Sequence, residues 1–185
     1  MEEAYIENSV RTRLIIAGIN EIEERGIKDF SLRRAALAAQ VSCAAPYRHF
    51  RDKDEFISEI IKYVASRWEL LCKEIRGVFN KDPRRLIIEL SVANLRFWIA
   101  NPNYRSVLMT AKPLSSSSLS RFEAPLMAAL SEYVEAAGIK EQLEMKKYTL
   151  RALIYGSLML TGGEDNRISV TESFREKLEQ EFPEI

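Results

Sequence analysis

The sequence predicts an all-α fold of about nine helices, three in a compact N-terminal unit, one long connector, and five in a larger C-terminal body. Three observations predict it. Apolar residues recur at helical spacing, and no stretch alternates convincingly with period two. Capping residues and Gly or Pro stops punctuate the chain at intervals that suit helices. Two short helical segments, Ser31–Val41 (SLRRAALAAQV) and Ser42–Phe50 (SCAAPYRHF), follow one another across a tight turn, the arrangement of a helix-turn-helix.

The first helix spans roughly Asn8 to Arg25, with Val10, Leu14, Ala17 or Gly18 and Ile22 on its inward stripe and Gly26 as its stop. Gly18 in mid-helix weakens it slightly and predicts close approach of a neighbour. Ser31 caps the second helix, which turns Leu32, Ala35, Ala36 and Ala39 inward and Arg33 and Arg34 outward. Ser42 caps the third, with Pro46 close enough to its start to forfeit at most one backbone hydrogen bond. Asp52-Lys-Asp-Glu55 has capping-box spacing and opens a fourth helix towards Gly77, with Phe56, Ile60, Val64 and Leu71 among its apolar positions.

Asp82-Pro83 starts a fifth helix to about Ala100, and Asn101-Pro102 a short sixth. Lys112–Ser120 (KPLSSSSLS) reads as a surface loop; a phosphate cradle would want glycine. A seventh helix runs from about Leu119 to Ala137 and stops at Gly138. The eighth covers about Glu141 to Thr161, and Arg151 is its only charge from Thr149 onward, so it must be covered on more than one face. Ser169-Val-Thr-Glu172 has capping-box form and opens a ninth helix with Val170, Phe174 and Leu178 spaced by four. The domain boundary is expected at 52/53, with a reader at 1–52 and a regulatory body at 53–185.

A hydrophobic content of 46% supports a sizeable core, and the formal net charge is zero. That sum hides an asymmetry. Between Lys28 and Lys53 lie six basic residues (Lys28, Arg33, Arg34, Arg48, Arg51, Lys53) against Asp29 and Asp52, a local charge of +4. Cys43 and Cys72 lack metal spacing, which predicts a reducing cytoplasm and no metal or cofactor. Cys43 could serve as a redox sensor, though a small residue in a tight turn is the simpler reading. The opening Met1-Glu-Glu does not resemble a basic signal-peptide start, and no apolar run is long enough to span a membrane. His49 is the single histidine, so the body holds no Ser-His-Asp or Cys-His pair, and no Gly-rich phosphate loop appears. Glu141 and Glu144 read as solvated. A small all-helical enzyme is therefore the disfavoured alternative.

Residues 9 to 60 resemble the DNA-binding domain of TetR-family transcriptional repressors. The resemblance rests on Ala35-Ala36, Ala39, Val41-Ser42, Tyr47-Arg48-His49-Phe50 and Lys53-Asp54-Glu55. One departure is Gln40, where the family pattern has glycine as the left-handed stop of the second helix; a side chain there costs roughly 1 kcal/mol. The other is Pro46 inside the recognition segment. The resemblance implies a regulator that binds double-stranded operator DNA as a homodimer, repressing until a small-molecule inducer releases it. A ligand-independent helix-turn-helix protein is the alternative.

On this reading Arg48 and Lys53 contact phosphates, and Arg48 could instead reach a guanine edge. Tyr47 offers a hydroxyl for a phosphate and a ring for a thymine methyl, while His49 donates to a phosphate. Ser42, Cys43, Ala44 and Ala45 enter the groove first with small side chains, and Lys28, Ser31 and Arg33 flank the site. An ordinary solvated face is the competing reading of Arg33, Arg34 and Arg51, and Phe50 reads as core. For the body, the resemblance implies a largely apolar ligand pocket, with Trp68, Phe97, Trp98, Tyr104, Phe122, Met127, Tyr155 and Met159 as candidates and Asn94 or Arg121 adding polar contacts. Plain core is the competing reading of these aromatics. It also implies a dimer through the last two helices, for which Leu150, Leu153, Leu158, Phe174 and Leu178 are candidates; Asp at Leu153 or Leu158 is expected to give monomers.

Overall fold

A computed structural model describes residues 9–102, 104, 116–161 and 166–185. Every regular element among them is helical: α1 (Val10–Arg25), α2 (Leu32–Ala38), α3 (Pro46–His49), α4 (Lys53–Phe79), α5 (Pro83–Ala100), α6 (Ser116–Ala136), a 3-10 turn (Lys140–Gln142), α7 (Leu143–Leu160) and α8 (Asn166–Glu181). None is long and apolar enough to cross a membrane. Most of the short sixth helix expected after Asn101-Pro102 lies outside the described residues.

Contacts divide the chain into two compact units, the first containing residues 9–66 and the second residues 67–101 and 119–185. α4 is shared between them. Its first half goes with the N-terminal unit, where Phe56, Ile57 and Ile60 are buried.

In the first unit Ser9 caps α1 by accepting from the Thr12 amide at 3.1 Å, and Gly26 ends it at φ 75°. Leu14, Ile15, Ile19 and Ile22 form its buried stripe, while Val10 is only half-buried. Gly18 is required by its neighbour: a Cβ there would sit 2.3 Å from a ring carbon of Phe56. That ring stacks on Phe30 at 5.4 Å and meets Phe50 edge-on at 4.6 Å, so it has no free direction of retreat. Ser31 caps α2. The helix ends in a complete Schellman motif, Gln40 N–H to Leu37 O and Val41 N–H to Ala36 O, both 3.0 Å, with Gln40 itself at φ 55°.

In the second unit α5 is buried over most of its surface, through Leu86, Ile87, Leu90, Val92, Leu95 and Trp98, and α7 and α8 pack on it and on each other. The C-terminal segment is tied down: the Phe182 carbonyl accepts from Arg84 at 2.7 Å, the Pro183 carbonyl from the Tyr133 hydroxyl at 3.1 Å, and the Phe182 ring meets Tyr133 edge-on at 5.1 Å. Gly138, at φ 69°, closes α6 as expected. Burial pushes the Cys72 thiol up to about 12, which leaves it a small core residue.

Three expected boundaries are corrected. α6 begins at Ser116, inside the stretch read as a loop, because serine's helix propensity falls only modestly below alanine's and downstream packing carries the turn. It also holds Pro125 in its interior, where the Arg121 carbonyl loses its usual donor. α8 begins at Asn166, so Ser169 and Glu172 lie within its first turns rather than capping it. α3 begins at Pro46 instead of Ser42. Residues 42–45 form a turn, with the Ala45 amide on the Ser42 carbonyl at 2.9 Å.

Candidate nucleic-acid interface

α3 is one turn long, and its orientation follows from two buried residues four apart. Pro46 stands at the first helical position, where its missing N–H costs nothing, and its ring is buried. Phe50 follows in extended conformation, its amide returning to the Pro46 carbonyl at 2.8 Å and its ring fixed against Phe56. With both ends of the turn driven into the core, Tyr47, Arg48 and His49 between them all face solvent. Tyr47 is 64% exposed, an unusual cost for an aromatic side chain that has nothing to bind.

The surrounding residues present a mixed picture. Ser42 and Ala44 are exposed beside the turn, with Cys43 and Ala45 half-buried. Lys28 and Arg33 are exposed at the start of α2, and Ser31 is half-buried because its hydroxyl caps that helix. Among the described residues the side chains of Lys28, Arg33 and Arg48 hold no internal partner. Arg34, read from sequence only as outward, is structural: it holds the carboxylate of Glu21 and the Asp29 carbonyl. Arg51 pairs with neighbouring Asp52 at 3.0 Å.

Lys53 does two things at once. Its ammonium donates to the carbonyls of Ile27 at 2.7 Å and Lys28 at 3.4 Å, and it lies 5.5 Å from the Phe30 ring centre. This ties the start of α4 to the loop before α2 and sets Lys53 beside Lys28. An ammonium has three donors, so one remains for a phosphate.

The cap of α4 departs from the expected reciprocal box. The Glu55 amide donates to Asp52 Oδ1 at 2.8 Å, but the Glu55 carboxylate accepts from the Arg51 amide at 2.6 Å. The carboxyl of Asp52 is held below its usual range by the hydrogen bond from the Glu55 amide and by the Arg51 guanidinium. Arg11 adds a further brace that the sequence did not signal, pairing with Glu59 and lying 5.5 Å from the Phe50 ring centre.

Of the ligand-pocket candidates, four gather in the second unit. Trp68, Phe97, Trp98 and Phe122 form a chain of ring contacts between 5.1 and 5.5 Å, and the Trp68 indole donates to the Phe122 carbonyl at 3.0 Å. Trp68, Trp98 and Phe122 are buried there. Met127 and Tyr104 are half-buried. Met159 faces solvent at 79% exposure, and Tyr155 is 38% exposed with its hydroxyl against Glu123. Burial of Tyr155's hydroxyl and its contact with Glu123 push its pKa up. Arg121 is bound to Glu69 at 2.8 Å, whereas Asn94 is buried.

Leu150, Leu158, Phe174 and Leu178 are buried within the subunit, and Leu153 is half-buried. The apolar surplus of α7 emerges on its other side as Met145, Tyr148, Tyr155 and Met159, spaced by three, seven and four along one helical stripe. Among the described residues no group of His, Cys, Asp and Glu could hold a metal ion.

Comparisons with known proteins agree with this geometry. The family described as bacterial regulatory proteins, tetR family, matches residues 14–60. No curated protein sequence matches the chain. Among solved structures, the TetR family transcriptional regulator PfmR from Thermus thermophilus superposes with a TM-score of 0.74 at 19% identity, over 96% of this chain and 98% of that one. The transcriptional regulator FadR from Bacillus subtilis, in complex with stearoyl-CoA, gives 0.68 at 13% identity, over 90% and 96%. RolR in complex with resorcinol gives 0.57 at 16% identity, over 98% and 99%. At these identities the likeness shows a shared fold. The matched family is one of bacterial regulatory proteins, and PfmR and FadR are transcriptional regulators.

Proposed function

We propose that this chain, which carries the N-terminal domain of the tetR family at residues 14–60 on the fold of that family's regulators, is a cytoplasmic repressor that a small-molecule inducer releases from its operator. The observation that carries the DNA-binding part is the exposed Tyr47-Arg48-His49 turn, clamped at both ends by Pro46 and Phe50 and flanked by Lys28, Ser31, Arg33 and Lys53. A one-turn recognition helix needs such clamping, since a helix this short has no stability of its own. Base reading falls to Arg48 and Tyr47; the small residues Ser42, Cys43, Ala44 and Ala45 let the backbone approach the groove. Lys28, Arg33, His49 and Lys53 serve the phosphates.

Operator fragments selected from random duplexes should bind the wild type in a salt-dependent way. Arg48→Ala should lose at least about tenfold in affinity and shallow the salt slope by about one. Equal affinity and slope would move the interface to another face.

Dimerisation through the exposed α7 stripe supplies the second head that specific binding of a two-fold operator requires. The inducer is a largely apolar small molecule, a reading supported by the aromatic cluster of Trp68, Phe97, Trp98 and Phe122 and by the stearoyl-CoA and resorcinol bound to the two neighbours. Release requires tighter binding to the DNA-incompetent state. Titrating long-chain acyl-CoA and resorcinol-like phenols against the operator complex tests it. The close packing of that same cluster favours a second reading, a ligand-independent DNA-binding protein. A complex that stays intact under both ligand classes would select it.

A further inference from the structure

A cleft of about 310 Å³ opens in the second unit between the end of α5 and the start of α8. Its walls are Ile99, Ala100, Ile168 and Thr171, and Arg96, Arg167 and Glu172 complete it. None of the aromatic residues of the buried cluster contributes to it. Among the described residues its charged groups are two guanidinium groups and one carboxylate.

The two arginines have no bonded carboxylate among the described residues. Four other guanidinium groups of this unit are paired with carboxylates, Arg76 with Glu132, Arg121 with Glu69, Arg151 with Glu123 and Arg175 with Glu89, all at 2.7–2.8 Å. Among the described residues Arg96 and Arg167 make no bonded ion pair, although Glu172 shares the cleft with them and the Glu89 carboxylate acts on Arg96 at longer range. Ile168 compounds the oddity, since it is 74% exposed and its side chain forms cleft wall. Cations without a bonded carboxylate, set beside exposed aliphatic surface, are complementary to a molecule with one anionic end and one apolar end. The volume sits at the small end of ligand sites, which selects a short body.

We propose that this cleft binds a small amphipathic anion, a carboxylate or phosphate head held by Arg96 and Arg167 with a short aliphatic body laid on Ile99, Ala100 and Ile168. This site is separate from the aromatic cluster, and its test does not depend on DNA binding. Calorimetric titration of the full chain with octanoate, octyl phosphate and 1-octanol compares two head groups with a neutral control. At least one of the anions should bind once per chain and at least about tenfold tighter than octanol. Whichever anion wins identifies the head group. Replacing both Arg96→Gln and Arg167→Gln should abolish the preference for the anion, Glu172→Gln should strengthen anion binding severalfold, and Ile168→Glu should weaken binding of both anions. Because all of these positions are exposed, melting curves should match the wild type, and operator affinity without ligand should be unchanged. Binding of neither anion, equal affinity for octanol, or undiminished anion binding in the double variant would overturn the site. Altered operator affinity with anion binding as expected would instead count against the proposed DNA surface.

Discussion

Gln40 spends conformational energy where a glycine would not. At φ 55° its Cβ crowds the backbone, yet the Schellman hydrogen bonds and the burial of Ala36 and Ala39 hold it there. Gln40→Gly should therefore stabilise the protein by about 0.5–1 kcal/mol, read as a rise in Tm at unchanged m-value. A fall in Tm would mean that the Gln40 side chain makes a contact that offsets the strain. Arg48 and Lys53, read together from the sequence as phosphate contacts, separate once the structure is known. Among the described residues Arg48 has no internal partner, whereas Lys53 ties two carbonyls before α2 to the start of α4. Arg48→Ala should weaken operator binding at unchanged Tm. Lys53→Ala should weaken it and also cost about 1 kcal/mol of stability. Identical melting of both variants would reduce the Lys53 clamp to a surface contact.

The helices were legible where a cap, an apolar stripe and a stop agreed, as in α1, α2, α4 and α5, since each signal is local. Gly18 was legible for the same reason, although its partner Phe56 was not, being distant in sequence. Boundaries failed where a local signal competed with packing. Serines 116–118 resemble a loop in isolation, and Ser42 resembles a cap until Pro46 and Phe50 decide which single turn is driven inward. The faces of α7 were illegible because a helix apolar all round does not say which side meets its own subunit. Only α5 and α8 decide that Leu150, Ile154 and Leu158 are inside. Pairings such as Arg175 with Glu89, at 2.7 and 2.8 Å, join residues far apart in sequence and leave no local trace. That bidentate bond between α8 and α5 holds the Glu89 carboxyl below its ordinary range, chiefly through hydrogen bonding from Arg175. A depressed carboxyl contributes stability that is present above the unfolded carboxylate pKa and lost as pH falls through the folded value. Both groups are about a quarter to a third exposed, so screening limits the contribution to about 1 kcal/mol or less. Glu89→Gln should lower Tm slightly at neutral pH and make less difference by about pH 3. A Tm deficit independent of pH would mean that the loss is one of packing.

At the scale of the whole molecule, the proposed function needs two identical heads presented together, because one turn of recognition helix grips a single half-site. The exposed stripe of Met145, Tyr148, Tyr155 and Met159 is the apolar surface available for that pairing, with Met159 at 79% and Tyr148 at 71% exposed in the lone chain. Such residues cost solubility unless covered, and on one helix face they are self-complementary about a two-fold axis. Leu158, one position away, behaves oppositely. It is buried within the subunit, so Leu158→Asp places a charge in the core and should unfold the protein instead of dividing a dimer. Met159→Glu should leave Tm of the subunit intact while raising the dimer dissociation constant at least about 100-fold, measured by sedimentation equilibrium. Operator affinity should fall with it, while residual binding to an isolated half-site is retained, since each head is complete in itself. Half-sites selected by the wild type should lie about one helical turn apart or a multiple of it. An unaltered Met159→Glu dimer would exclude the α7 face. Monomers with full operator affinity would show instead that the heads bind independently, and the two-fold arrangement would have to be abandoned.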